Sequence, residues 1–234
     1  MKVSYFSDRG QRESNQDFVT VKDISDDYKI CIIADGMGGY ELGEVTAELV
    51  SESIVAFLSN SKVKDTKCIQ KAINKATLAV RQLIEDKGKK TGATIGGILI
   101  NRSSATCFWV GDVKVYAFRS PTMLFESTSH SLMNRLIKNG SLSDQEKASK
   151  YKHVVTRSIQ GDVMYSNADF HIIDELREGD QFLVCSDGVD GVVSNSELLE
   201  IMNRSVCVDE VAKKIGLKCN GLSDDNYSIV ALKI

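Results

Sequence analysis

Ile30-Cys31-Ile32-Ile33-Ala34-Asp35-Gly36-Met37-Gly38-Gly39-Tyr40-Glu41-Leu42-Gly43 opens as an unbroken apolar run and ends in glycine. The run predicts a buried strand. It stops at Asp35, and Gly36, Gly38, Gly39 and Gly43 follow within eight residues. Glycine at this density lets the backbone turn sharply and approach a neighbour closely, because no Cβ intervenes. An amphipathic helix follows. Asp35 at the strand mouth, beside the bare carbonyl of Gly36, suits a hard cation, and equally suits a strand–turn–helix connection whose Asp caps the helix.

The arrangement recurs. Gln181-Phe-Leu-Val-Cys-Ser-Asp187-Gly188 again runs an apolar strand into Asp-Gly, with Asp190-Gly191 just beyond. Asp224-Asp225-Asn226 precedes a final apolar strand, and Asp112 follows Val110-Gly111 between two more. Carboxylates at strand ends far apart in sequence, with a backbone carbonyl and water, are an oxygen-only donor set suited to Mg2+ or Mn2+. Zinc would require His or Cys at close spacing, which the chain lacks. The glycine loop also fails the dinucleotide and P-loop templates: Glu41 stands where Gly-x-Gly-x-x-Gly needs its last glycine, and no Gly-Lys-Ser/Thr follows.

The 234 residues, 42% hydrophobic and 26% charged, read as a soluble globular protein large enough for a sizeable core. A net charge of −3 provides no bulk basic field for nucleic acid or anionic membrane. No apolar run approaches the ~20 residues of a membrane span, and the first residues lack the apolar core of a signal peptide. The six cysteines show no Cys-x-x-Cys and read as buried free thiols. The expected location is cytoplasmic.

In chain order, residues 3–7 and 18–22 read as strands around a polar loop carrying Arg12, Asn15, Gln16 and Asp17. Apolar residues at 42, 45, 49, 50, 54, 57 and 58, then at 69, 72, 73, 76, 80, 83 and 84, predict two amphipathic helices, the second ended by Gly88. Residues 105–110, 113–119 and 123–127 read as successive antiparallel strands with short turns. Ser143-x-x-Glu146 and Ser194-x-x-Glu197 have the form of capping boxes. Strands at 170–174, 181–186 and 227–234 and a helical face at 208–215 complete one α+β domain over residues 1–234, its sheets buried between helices.

Taken together, the motifs resemble those of the metal-dependent serine/threonine protein phosphatases of the protein phosphatase 2C type (the PPM family) in its short bacterial form. Arg12-x-x-Asn15-Gln16-Asp17, Asp35-Gly36-Met37-Gly38-Gly39, Thr91-Gly92-Ala93-Thr94, Val110-Gly111-Asp112, Asp187-Gly188 and Asp225-Asn226 stand in the family's order along the whole chain. The resemblance implies a four-layer αββα sandwich, two central mostly antiparallel sheets flanked by helix pairs. It also implies hydrolysis of phosphoserine and phosphothreonine in proteins with two to three Mn2+ or Mg2+ ions. By position, Asp35 would bridge two ions, Gly36 would add its carbonyl, and Asp187 and Asp225 would complete the pair. Asp112 with Asp187 would make a third site, Asp17 would hold metal-bound water from behind, and Arg12 would grip the phosphate. Residues 130–160 match the family's flap beside the substrate cleft. The implied partners are phosphorylated proteins, targets of a cognate kinase, with no role for nucleic acid or membrane.

The chain departs from the family pattern in places. Gln16 stands where many members have Glu, Met37 where animal members have a histidine proposed as general acid, and Tyr40 where bacterial members carry His. Ser129 replaces the Asp before the flap histidine. His130, His153 and His171 read as surface or flap residues without a catalytic role. Two other functions compete: a phosphatase of a sigma-factor regulatory partner, and a catalytically silent phosphoprotein-binding module. The first usually lacks the Arg at position 12, and the second should have lost metal carboxylates. Both features are present here.

Overall fold

The computed structural model describes residues 1–37, 42–140, 151, 153–161 and 166–234. Tyr40 and the Ser143–Glu146 capping box lie outside these residues. The described elements are β1 (Lys2–Asp8), β2 (Asp17–Asp23), β3 (Lys29–Gly36), α1 (Gly43–Ser59), α2 (Thr66–Lys87), β4 (Ala93–Ile100), β5 (Ala105–Val110), β6 (Lys114–Arg119) and β7 (Thr122–Glu126), followed by α3 (Leu132–Lys138), β8 (Asp169–Ile173), β9 (Gln181–Cys185), the single turn α4 (Asp187–Asp190), α5 (Asn195–Arg204), α6 (Val208–Cys219) and β10 (Tyr227–Lys233).

Two five-stranded sheets form, in the orders β1-β10-β9-β6-β7 and β2-β3-β4-β5-β8. Every pairing between them is antiparallel. The alternation of strand side chains divides the core into three layers. On β3, Ile30, Ile32 and Ala34 face α1 and α2, whereas Cys31 and Ile33 point between the sheets. On β9, Leu183 and Cys185 face α5 and α6, and Phe182 and Val184 point inward. Strands covered on both faces carry no polar alternation, hence the unbroken apolar runs. The result is the four-layer αββα sandwich. Four of the cysteines are buried and all are free.

The helix ends follow local chemistry. Asp65 caps α2 by accepting from the Cys68 amide, and Gly88 closes it in the left-handed conformation at φ 65°. The Ser194–Glu197 capping box is present at the start of α5. Two expectations are corrected. Val45 is exposed, and the buried stripe of α1 instead includes Thr46 and Ser51. Both hydroxyls are satisfied, Thr46 by Leu42 O and Thr91 and Ser51 by Thr20. Nor do β5 and β6 form a hairpin: β5 pairs with β4 and β8, and β6 with β7 and β9 in the other sheet. Both strands are apolar on two faces and need cover on both. Gly111, at φ 110°, swings the chain from one sheet to the other.

Candidate active site

Crossing between the sheets places Asp112 at the end of the sandwich where four other acidic strand ends meet. Asp17, first in β2, lies directly opposite Asp35 near the end of β3, and Asp35 lies opposite Thr94 on β4. Asp187 opens α4 immediately after β9, and Asp225 sits in the turn leading into β10. Asp35, Gly36, Asp112, Asp187 and Asp225 line one cleft of about 850 Å3, together with Arg12 and His153. Asp35 does not cap α1, whose N-cap is Leu42 without a side-chain bond.

Close backbone packing holds these loops together. A Cβ on Gly36 would lie 2.3 Å from the Gly43 carbonyl oxygen, and one on Gly188 would lie 2.1 Å from that of Asn226. Asn226 is buried and ties down the arginine loop: its Oδ1 accepts from the Gln16 amide at 2.8 Å, and its Nδ2 donates to Arg9 O and Ser14 O at 2.9 and 2.8 Å. Arg12 projects from that loop and donates from Nη2 to Asp225 Oδ2 at 2.7 Å.

Asp17 sits behind the cleft, buried. Ser186 donates to its Oδ2 at 2.7 Å, and its Oδ1 is buried without a partner. Burial is the main cause that pushes the Asp17 carboxyl up to about 6, with Asp225 and Asp112 adding to it. Asp35 and Asp187 are held well above the ordinary carboxylate range, by burial first and then by the surrounding aspartates. Asp112 moves the same way.

A group of buried and half-buried carboxylates that repel one another, one with an unpartnered oxygen, lacks positive charge, and its all-oxygen donors fit divalent Mg2+ or Mn2+. Among the described residues no three acidic or imidazole groups converge on a single point as a ready-made cage. They ring the cleft instead.

The opposite cleft wall is residues 153–155. It is held at two places: Leu132 N donates to Val154 O and Thr156 N to His130 O, both at 2.7 Å, and Ala93 and Ile159 exchange both backbone bonds. Met37 meets the same segment beyond the wall, its Sδ 3.1 Å from Gln160 Nε2. His153 is exposed, with Nδ1 3.9 Å from Asp187 Oδ2. His130 is not a surface residue: its side chain is 9% exposed. His171 stacks on Phe125 away from the cleft.

Every cleft residue named from the sequence therefore reaches this end of the sandwich, with Asp17 just behind it. Asn226, Ser186 and His130 had no assigned role. Asn226 alone carried a signal, as a polar residue at the entry of a buried strand.

The family model for protein phosphatase 2C matches residues 7–213, and the chain belongs to that family of metal-dependent protein serine/threonine phosphatases. It is 25% identical over 242 residues to protein phosphatase PhpP of Streptococcus pneumoniae, covering 100% of this chain and 98% of that protein. Among solved structures, the serine/threonine phosphatase of S. agalactiae superposes with a TM-score of 0.86 at 25% identity, covering 100% of this chain and 99% of that one. The catalytic domain of PstP, solved with two manganese ions, superposes at 0.82 and 24% identity over 98% and 96% of the two chains. No helix among the described residues is long and apolar enough to cross a membrane.

Proposed function

We propose that this acidic cleft hydrolyses phosphoserine and phosphothreonine in proteins, using two Mn2+ or Mg2+ ions and a third at Asp112. The observation that carries the reading is the meeting of Asp35, Asp112, Asp187 and Asp225 in one cleft beside Arg12, with the unpartnered Asp17 oxygen behind them. Asp35, the Gly36 carbonyl, Asp187 and Asp225 would hold the first two ions, and Asp112 with Asp187 the third. When bound, such ions supply a nucleophilic hydroxide near neutral pH and offset negative charge on the phosphoryl oxygens.

The remaining work falls to the protein's own groups. Arg12 presents a planar fork to two phosphate oxygens, leaving Asp225 to do so. Asp17, oriented by Ser186, keeps a free oxygen to accept a hydrogen bond from attacking water and fix its direction. Val154 and Val155 give the cleft an apolar side against which the substrate backbone can lie. Residues 1–234 act as one catalytic unit with 130–160 as its flap, and phosphoproteins made by a cognate kinase are the partners. The test is release of phosphate from a phosphothreonine peptide after chelation, with and without added Mn2+. Turnover that survives excess chelator overturns the reading.

A further inference from the structure

His130 joins the Asp112 turn to the cleft wall. Its backbone N–H donates to Gly111 O at 2.7 Å while its Nδ1 accepts from the Gly111 N–H at 3.0 Å. Its carbonyl accepts from both the amide and the hydroxyl of Thr156, at 2.7 and 2.9 Å. The ring stacks on Trp109 at 6.2 Å, and its Nε2 lies 3.2 Å from Asp169 Oδ2. Asp169 also receives Arg157 Nη1 at 2.7 Å, so the wall is gripped again just beyond Thr156. Burial, and then Arg157, lowers the pKa of the ring, which leaves Nδ1 able to accept.

We propose that His130 is a positioning residue that splices the Asp112 turn to the 154–156 wall, so that both sides of the cleft move as one body. The effect on turnover rests on the reading of Asp112 as a metal ligand; the mechanical coupling does not. A flanking wall tied to one carboxylate turn fixes the distance between the bound phosphoryl group and that carboxylate. Loosening the tie weakens turnover without emptying the rest of the site.

The test is amide hydrogen exchange on the metal-free full chain, with peptide turnover in Mn2+ as a second arm. In His130→Ala, exchange at Gly111, Leu132 and Thr156 should quicken by about tenfold, the loss of one buried hydrogen bond, while β3 amides stay protected. His130→Asn returns an acceptor near the Nδ1 position and should restore Gly111 protection and most of kcat. Thr156→Val leaves the ring in place, yet should quicken exchange at Gly111 across the splice, and it serves if the alanine variant does not fold. Wild-type exchange at Thr156 in His130→Ala, or at Gly111 in Thr156→Val, overturns the coupling. So does loosening of β3 to the same degree, because that marks general destabilisation. Asp112→Asn separates the two readings: if it keeps full Mn2+ uptake while the exchange results hold, the metal role of Asp112 fails and the splice stands.

Discussion

Arg12 Nη2 lies 2.7 Å from Asp225 Oδ2, so the cation assigned to the phosphate rests on a carboxylate assigned to the metal. Both side chains are partly solvated, at 52% and 34% exposure, so this pair adds little to stability. On the reading proposed above, ions held at Asp225 would compete with this pair and release the guanidinium for substrate.

Arg12→Ala should therefore leave Mn2+ affinity unchanged or slightly higher, because Asp225 no longer has a competing partner. Turnover efficiency should fall by about ten- to a hundred-fold, the loss of a charged hydrogen bond at ~1.5–3 kcal/mol. Asp35→Asn should lose metal and turnover together, the latter by ~1,000-fold or more. Calorimetric titration with Mn2+ beside steady-state kinetics separates the two. Equal loss of metal in both variants would show that Arg12 holds the site together rather than the phosphate.

Asp112→Ala should impair turnover while two ions remain bound. Native mass spectrometry across a Mn2+ titration counts them. A variant that behaves as wild type, or one that loses every ion, contradicts a third site.

Metal-free stability should depend on pH in an unusual direction. A carboxyl raised from 3.8 to about 6, as in Asp17, holds its proton more tightly folded than unfolded. Its stabilising effect is complete at low pH and withdrawn as pH climbs through the folded value. Asp35, Asp112 and Asp187 act in the same sense. His130, lowered by burial, opposes them as one group against four. At Asp169 and Asp180 the bonded arginines outweigh burial, so these two titrate below this window. With chelator, the melting temperature should fall between about pH 4 and 6, and excess Mn2+ should reverse the trend. A chelated protein that melts higher at pH 7 than at pH 5 rules this out.

Gly188→Ala should push the Asp187 and Asp225 loops apart, because its Cβ would lie 2.1 Å from the backbone oxygen of Asn226. A cost of about 1–3 kcal/mol is expected, visible in chelated thermal melts, along with weaker Mn2+ binding. Asn226→Asp keeps the acceptor for Gln16 but loses the donors to Arg9 and Ser14. Its expected signature is a raised KM with the fold intact, read from kinetics beside circular dichroism.

The fold was legible where one residue's environment repeats along an element. The apolar run at 30–34 and the i, i+3, i+4 stripe at 69–84 each announce a surface that must be covered. The cleft aspartates were legible because Asp at the end of an apolar strand followed by Gly is locally unusual. Pairing was harder to read. Nothing in residues 105–119 separates a hairpin from a crossing, because both strands are apolar on both faces and the decision lies in what covers them. The bonds made by His130 and Asn226 were illegible for a related reason: their partners stand 19 to more than 200 residues away, and hydrogen bonds at that range leave no periodic trace.

The pairing of β1 with β10 has a consequence for the life of the chain. Residues 2–8 are made more than two hundred residues before the strand they pair with, and Asp225 arrives just ahead of that strand. Half of the sandwich can condense while synthesis continues, since β2 to β5 and the first two helices are contiguous apart from short loops. The cleft cannot. If Asp225 holds metal as proposed, a chain released before β10 docks should hydrolyse no phosphopeptide.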